Sequence, residues 1–392
     1  MHLLGVGMKT HRWLLVSLLC CPGLVRAAPV HKIVAEFPTK FRTESPSFYF
    51  AGVPHTLAGG DFIYMGKGVW AEQQIFKLLD TRTHKLVSLE MPFDKFIAAN
   101  ARRFPRKRDK LFMDYPIRRL LFYEPGAKRA VFVFDHRRDR KSYLAVWHTD
   151  GNRIDIAADY TITRKQWMDL KPVFFDAEKQ TFYLRQVWGP MGTKPWETAP
   201  HQVKLIAMST NGATETVTQF ESQRNLLRYY YVDAPRKRVL FPQYAEKAGK
   251  GPKPKGWLVE LGNGSKKEFE MPVTAYGGTF SPDGRHIFLY AAQIGQLLKL
   301  DAESGRIVRR KKVPKRGFPL GYCGKDRLML VTHRGVLFFH PKTFKRTAMV
   351  PMSAFYEKKT AHVEGSLVVG DKAFLTLWGD VMKVVEFPKG CK

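Results

Sequence analysis

Gly278-Thr279-Phe280 runs into the turn Ser281-Pro282-Asp283-Gly284-Arg285, and the turn runs into the strand His286-Ile287-Phe288-Leu289-Tyr290. After a short loop come Gln296-Leu297-Leu298-Lys299-Leu300-Asp301, the turn Ala302-Glu303-Ser304-Gly305 and Arg306-Ile307-Val308-Arg309. Pro-Asp-Gly and Ser-Gly mark turns for a physical reason: proline presets φ, and glycine accepts a positive φ at no steric cost. Aromatic and β-branched residues fill the segments between them, as a pleated, half-buried surface favours. The phrase therefore predicts four short antiparallel strands.

The same phrase recurs along the chain. Leu121-Phe122-Tyr123 turns through Pro125-Gly126 into Ala130-Val131-Phe132-Val133-Phe134. Val173-Phe174-Phe175 leads into Thr181-Phe182-Tyr183-Leu184, and Tyr230-Tyr231-Val232 leads into Arg238-Val239-Leu240-Phe241. Further copies join Gly321-Tyr322-Cys323 to Arg327-Leu328-Met329-Leu330-Val331, and Ser366-Leu367-Val368-Val369 to Ala373-Phe374-Leu375-Thr376-Leu377. A looser first copy runs from Thr56-Leu57-Ala58 into Phe62-Ile63-Tyr64-Met65. These are seven units, roughly 40 to 65 residues apart, the spacing of a radial array of four-stranded sheets. The expected fold is all-β: a single seven-bladed β-propeller of four-stranded antiparallel blades. The blades fall at roughly 53–92, 117–160, 171–220, 228–272, 276–314, 317–351 and 360–388. The last unit runs out after Met382-Lys383-Val384-Val385-Glu386-Phe387. An N-terminal strand, either Lys32–Phe37 or Ser47–Phe50, is expected to close the ring.

Ser281–Tyr290 together with Asp301–Val308 resembles a blade of the WD40-like and YVTN-type bacterial propellers, and is similar to blades of quinoprotein amine dehydrogenase heavy chains. The Gly-His and Trp-Asp signatures of true WD40 repeats are missing. The resemblance implies a fold and leaves the function open, because this architecture carries many activities.

Composition agrees with a folded all-β chain. Of 392 residues, 44% are hydrophobic and 13% aromatic, enough for a large core rich in strand formers. The chain has 65 Lys and Arg against 35 Asp and Glu, a formal charge of +30, which repels itself and attracts polyanions.

The N-terminus reads as a secretory signal peptide over residues 1–27, leaving 28–392 as the mature propeller. Lys9, His11 and Arg12 form a basic region, Trp13–Cys21 an apolar one, and Val25-Arg26-Ala27 a cleavage site. The apolar run is too short to span a bilayer, and no later segment is apolar enough to do so. Leu19 before Cys20 is a poor match to a lipidation site. The expected location is periplasmic or extracellular. Removing the leader leaves Cys323 and Cys391, an even pair whose expected state is a disulfide, with two separate thiols as the alternative.

In an antiparallel four-stranded blade the first and third turns share one face, and the second loop and the link to the next blade share the other. The first and third turns here are short. The long insertions, residues 93–116, 135–141, 187–201 and 244–256, all belong to the other face. They are basic and aromatic. The first carries Arg102, Arg103, Arg106, Lys107 and Arg108 and opens on a short helix from Asp94 to Ala101. The second carries Arg137, Arg138 and Arg140, and the third Trp188 and Trp196. Loops on a rigid scaffold are where binding resides, so these ten residues are the expected binding face.

The sequence has no Gly-rich phosphate loop, zinc-type cysteine pair, His-Glu-x-x-His helix or Gly-x-Ser-x-Gly elbow. No catalytic residue, metal ligand or cofactor is assigned. The expected function is an exported, non-catalytic propeller that binds an envelope or secreted protein, or an anionic polymer, as a monomer or a subunit of a larger complex. The export signal argues against nucleic acid. The alternative is a lactonase-like hydrolase with a site at the mouth of the central channel.

Overall fold

The computed structural model describes residues 32–38, 55–56, 62–70, 73–105, 115–136, 139–151, 153–161, 166–190, 201–222, 230–243, 254–271, 277–292, 294–315, 317–323, 326–355, 363–369, 372–377 and 381–387. They form seven four-stranded antiparallel sheets, the expected seven-bladed β-propeller. In six blades the strands follow in chain order, spanning 55–91, 117–161, 166–222, 231–270, 277–312 and 317–351. The first strands touch between blades 2 and 3, 4 and 5, 5 and 6, and 6 and 7, which places them around the axis. The fourth strand of each blade forms its outer edge.

The pattern of burial explains the ring. Lys141–His148, the third strand of blade 2, is buried at every residue after the first. A strand that is apolar on both sides needs a neighbour on both sides. Six apolar clusters fill the six spaces between consecutive blades. Between blades 1 and 2 Phe76, Leu78, Phe132 and Phe134 meet, and between blades 5 and 6 Phe288, Tyr290, Leu330 and Phe339 meet.

The seventh blade holds three strands from the C-terminal part of the chain, and its fourth is Lys32–Pro38, which pairs antiparallel with Val381–Glu386. Of the two segments expected to close the ring, this is the one that does so. Glu36 lies opposite Lys383, and their side chains form an ion pair of 2.7 Å. Across the seam to blade 1, Lys372 Nζ donates to the Thr81 carbonyl at 3.0 Å and lies 3.3 Å from Glu386.

The short-turn face repeats one hydrogen bond. The carbonyls of Lys128, Gln180, Lys237 and Arg285, in first turns, accept the N–H groups of Thr149, Thr210, Leu261 and Ala302, in third turns, at 2.8–3.2 Å. This ties the two hairpins of each blade together. The third turns also lean on the preceding blade. A Cβ on Gly264 (φ +71°) would lie 2.1 Å from the Val217 carbonyl oxygen, in the outer strand of blade 3.

The signal-peptide region lies outside the described residues. Cys323 is fully buried between blades 6 and 7 and is disulfide-bonded. Cys391, its expected partner, lies outside the described residues.

Gly264→Ala is expected to lower stability by about 2 kcal/mol, because both φ and the Val217 carbonyl oppose the new methyl. Gly262→Ala, with nothing within 4 Å of the new Cβ, serves as the control and should stay within about 0.5 kcal/mol. Urea unfolding of both variants checks this, and equal midpoints would refute the turn-against-blade contact.

Candidate functional site

The first strand of blade 3, Gln166–Asp176, starts at the long-loop face and descends along the channel to a short turn. Met168 and Leu170 pack towards blade 2. Strand alternation turns Asp169 and Lys171 the other way. On the neighbouring strand, Thr181–Pro190, Phe182 and Leu184 pack towards blade 2, and Tyr183 and Val187 towards blade 4. Arg185 sits between the last two with the same parity, directly opposite Lys171 in the register.

Two cations facing each other across a strand pair repel. Asp169 offsets this repulsion. Its Oδ2 lies 3.7 Å from Lys171 Nζ and 3.7 Å from Arg185 Nη2, and its Oδ1 lies 3.8 Å from Nη1 of Arg119, on the first strand of blade 2. Arg185 is fully buried, its guanidinium carbon 5.9 Å from the ring centre of Tyr230. The Tyr230 hydroxyl donates to the Pro172 carbonyl, which fixes the ring. Arg118 braces the same wall, donating to the Met168 carbonyl at 3.1 Å and lying 3.4 Å from Asp135.

The cluster holds three cations around one carboxylate. Arg119, Lys171 and Asp169 each keep a quarter to a third of their side chains exposed. Burial, together with the charges of Arg185 and Arg119, brings the Lys171 ammonium down to about 8, against the pull of Asp169. Burial lowers Arg185 as well, and pushes the Tyr230 phenol up to about 12. Such a site favours an anion, which would relieve the repulsion among its cations. Asp169 can also accept a hydrogen bond from a donor on the same ligand.

The sequence-expected binding residues are only partly brought together. Arg102 and Arg103 follow a helix at Phe93–Ala99, slightly earlier than the expected 94–101. Phe93, Phe96 and Ile97 bury that helix against Phe104, Phe132 and Phe134. Each buried Phe contributes roughly 1.5–3 kcal/mol, so the described part of this insertion is an apolar plug. Arg102 is exposed. Arg103 lies 3.6 Å from Asp159 and sits over the rings of Phe104 and Tyr143. Arg140 occupies an exposed turn with φ of 52°. Trp188 is half-buried, with Lys204 Nζ 4.9 Å from its ring centre. Arg106, Lys107, Arg108, Arg137, Arg138 and Trp196 lie outside the described residues.

Sequence reasoning missed Arg119, Asp169, Lys171 and Arg185. The available signal was Arg185 and Gln186 interrupting an otherwise apolar strand, since Arg is almost never fully buried unless paired. It also missed a cleft of about 820 Å³ on the short-turn face between blades 4 and 5, lined by Arg236, Arg238, Glu260, Lys267 and Asp301 among others. There Arg238 is engaged by the buried Asp233 at 2.6 Å and donates to the Gly284 carbonyl at 2.8 Å, so it clasps one blade to the next. Among the described residues, no group of three or more His, Cys, Asp or Glu is placed to hold a metal ion, and no helix is long and apolar enough to cross a membrane.

No family model and no curated protein matches the chain. Solved structures do match, and 908 chains among them indicate a widely used architecture. One is a chain in the crystal structure of the mitotic checkpoint complex, at 6% identity, with 98% of each chain covered and a TM-score of 0.54. At that identity the likeness shows the fold alone. It supports the WD40-like propeller and leaves the YVTN-type and quinoprotein likeness as a resemblance of one blade.

Lys171 is expected to react with an amine-directed acylating reagent at pH 8 well ahead of surface lysines, because about half of it is neutral there. Peptide mass mapping reads this; labelling at the rate of the bulk lysines would contradict it. Linkage gives the sign for stability. The native Lys171 releases its proton near pH 8 and the unfolded one near 10.5, so its destabilising contribution is present below pH 8 and is relieved between those values. Asp169→Asn should lower the Lys171 value further and reduce stability by about 2 kcal/mol, less than for a fully buried pair because Asp169 keeps contact with water.

Proposed function

We propose that this protein is an exported, non-catalytic propeller that binds an anionic partner at its long-loop face. The partner is an anionic polymer or the acidic surface of an envelope or secreted protein. The observation that carries this reading is the surplus of cations on the channel wall: Arg119, Lys171 and Arg185 against Asp169 alone, with Arg119 and Lys171 open to solvent. The cluster lies in the half of the channel nearer the long-loop face, since Asp169 and Lys171 are in the first six residues of an eleven-residue strand that begins there. By antiparallel alternation, the strand ends that lead into the long insertions are at this same face. The propeller supplies the rigid frame, as in interaction scaffolds generally.

The lactonase-like alternative, read as a metal-assisted hydrolase, needs convergent metal-holding carboxylates at the channel mouth. Among the described residues the channel cluster offers one carboxylate held by three cations, a composition better suited to anion recognition. The nearby multi-protein assembly among solved structures is compatible with a role as one subunit of a complex.

Binding of labelled polyphosphate and of an acidic polysaccharide should fall steeply as salt rises, because exposed charges are screened within roughly 8–10 Å. Arg119→Ala and Lys171→Ala should each weaken it by about tenfold. Affinity should also decline as pH rises through about 8, where Lys171 loses its charge. Arg102→Ala tests the loop contribution at the same face. Binding that is insensitive to salt, and equal in the Arg119 and Lys171 variants, would overturn the reading.

A further inference from the structure

The positive charge of the chain is not spread evenly over its outer edges. The outer strand of blade 5, Ile307–Lys312, carries Arg309, Arg310, Lys311 and Lys312 in succession and no carboxylate. Three other outer strands carry carboxylates. Ile154–Thr161 holds Asp155 and Asp159, Thr214–Ser222 holds Glu215 and Glu221, and Lys266–Glu270 balances two lysines with two glutamates. In blade 5 every residue of the strand after Ile307 is exposed, Val308 to 57%. None of the four cations forms an ion pair among the described residues. Arg309 Nη1 donates to the Lys342 carbonyl of blade 6 at 2.7 Å, which extends the basic edge without neutralising it.

This strand ends its sheet, pairing with Gln296–Asp301 on one side only. The backbone groups on its other side are open to a further strand. Successive side chains point to opposite faces, with same-face neighbours about 6.8 Å apart. Arg309 and Lys311 therefore lie on one face of the edge and Arg310 and Lys312 on the other. A flat anionic surface meets only one of these rows. An extended chain laid along the edge meets both, while its backbone pairs with the open groups. A basic or neutral strand gains nothing from the four charges, and a second copy of this same edge is repelled by them. The complementary occupant is an acidic peptide in extended conformation.

We propose that the outer edge of blade 5 is a strand-addition site, at which an acidic extended peptide of a partner protein pairs as a fifth strand and places Asp or Glu side chains opposite Arg309–Lys312. This site is separate from the channel cluster and does not rest on the function proposed for it.

The test uses the mature protein and a short, labelled Glu-rich peptide, compared with a peptide of the same sequence N-methylated at alternate residues. Both carry the same charge, but only the first can complete a ladder of backbone hydrogen bonds. The unmodified peptide should bind at least about tenfold more tightly, and Arg310→Glu with Lys312→Glu should weaken it by a similar or larger factor. Hydrogen exchange should show new protection of the amides of residues 307–312. Arg119→Ala should leave this binding unchanged, which separates it from the channel site. Because the substituted side chains are exposed, the variant should unfold at the parental temperature, and a melting scan checks this. Equal affinity for the two peptides, or equal protection of 307–312 by inorganic polyphosphate, would replace strand addition with simple polyanion attraction. Protection confined to other blades would overturn the site altogether.

Discussion

Each sheet of this protein has two apolar faces, and neither can remain in water. A sandwich would cover one face of each sheet; a ring covers both. The antiparallel pairing of Lys32–Pro38 with Val381–Glu386 completes that ring. It joins two segments far apart in the sequence and completes the blade that meets blade 1 at the seam. The Glu36–Lys383 ion pair and the polar contacts of Lys372 at the seam with blade 1 add direction to what is otherwise a backbone ladder.

Given the ring, the polar groups between blades can be understood as devices that set the spacing of one sheet from the next. Asp233 is buried and binds Arg238, whose guanidinium also reaches the Gly284 carbonyl of the following blade. Lys237 reaches back to Asp176 and Glu178 of the preceding one, and those two carboxylates hold its ammonium well above its usual range. These contacts lie on the short-turn face, where the hairpin turns of adjacent blades come close. The opposite face is built differently, with longer connections and an aromatic plug at the junction of blades 1 and 2. In that plug Phe134 stacks on Tyr143 at 5.0 Å and meets Phe93 and Phe104 edge-on.

The distribution of charge separates structure from function. Cations that clasp blades have carboxylate partners in the same contact. Those on the channel wall outnumber their carboxylate, and those on the outer edge of blade 5 have none. A protein with a net charge of +30 must place its excess somewhere; the outer strands of blades 2 and 3 carry only carboxylates and that of blade 4 balances two lysines with two glutamates, while the channel wall sets three cations around Asp169 and blade 5 carries four cations in a row. An uncompensated group of cations at a partly dry channel wall costs free energy in the isolated protein, and that cost is what a bound anion would relieve.

The repeated turn-and-strand phrase determined the blade count, the strand order within each blade and the side on which each loop emerges, because these follow from local alternation and turn chemistry. The need for a closing N-terminal strand was legible as well, since the last unit lacked a partner, but Lys32–Phe37 and Ser47–Phe50 both had the pattern to supply one, and the pairing with Val381–Glu386 decided between them. The helix near Asp94 was found from its local sequence, but its role as a plug was not, because Phe132, Phe134 and Tyr143 belong to a different blade. Arg119, Asp169, Lys171 and Tyr230 were invisible as a group for the same reason. They come from the first strand of blade 2, the first strand of blade 3 and the approach to blade 4, segments far apart in the sequence. Periodicity along the chain encodes which side of a strand a residue occupies. Which residues from neighbouring strands then meet is decided only when the sheets pack around the axis, at distances that no local pattern records.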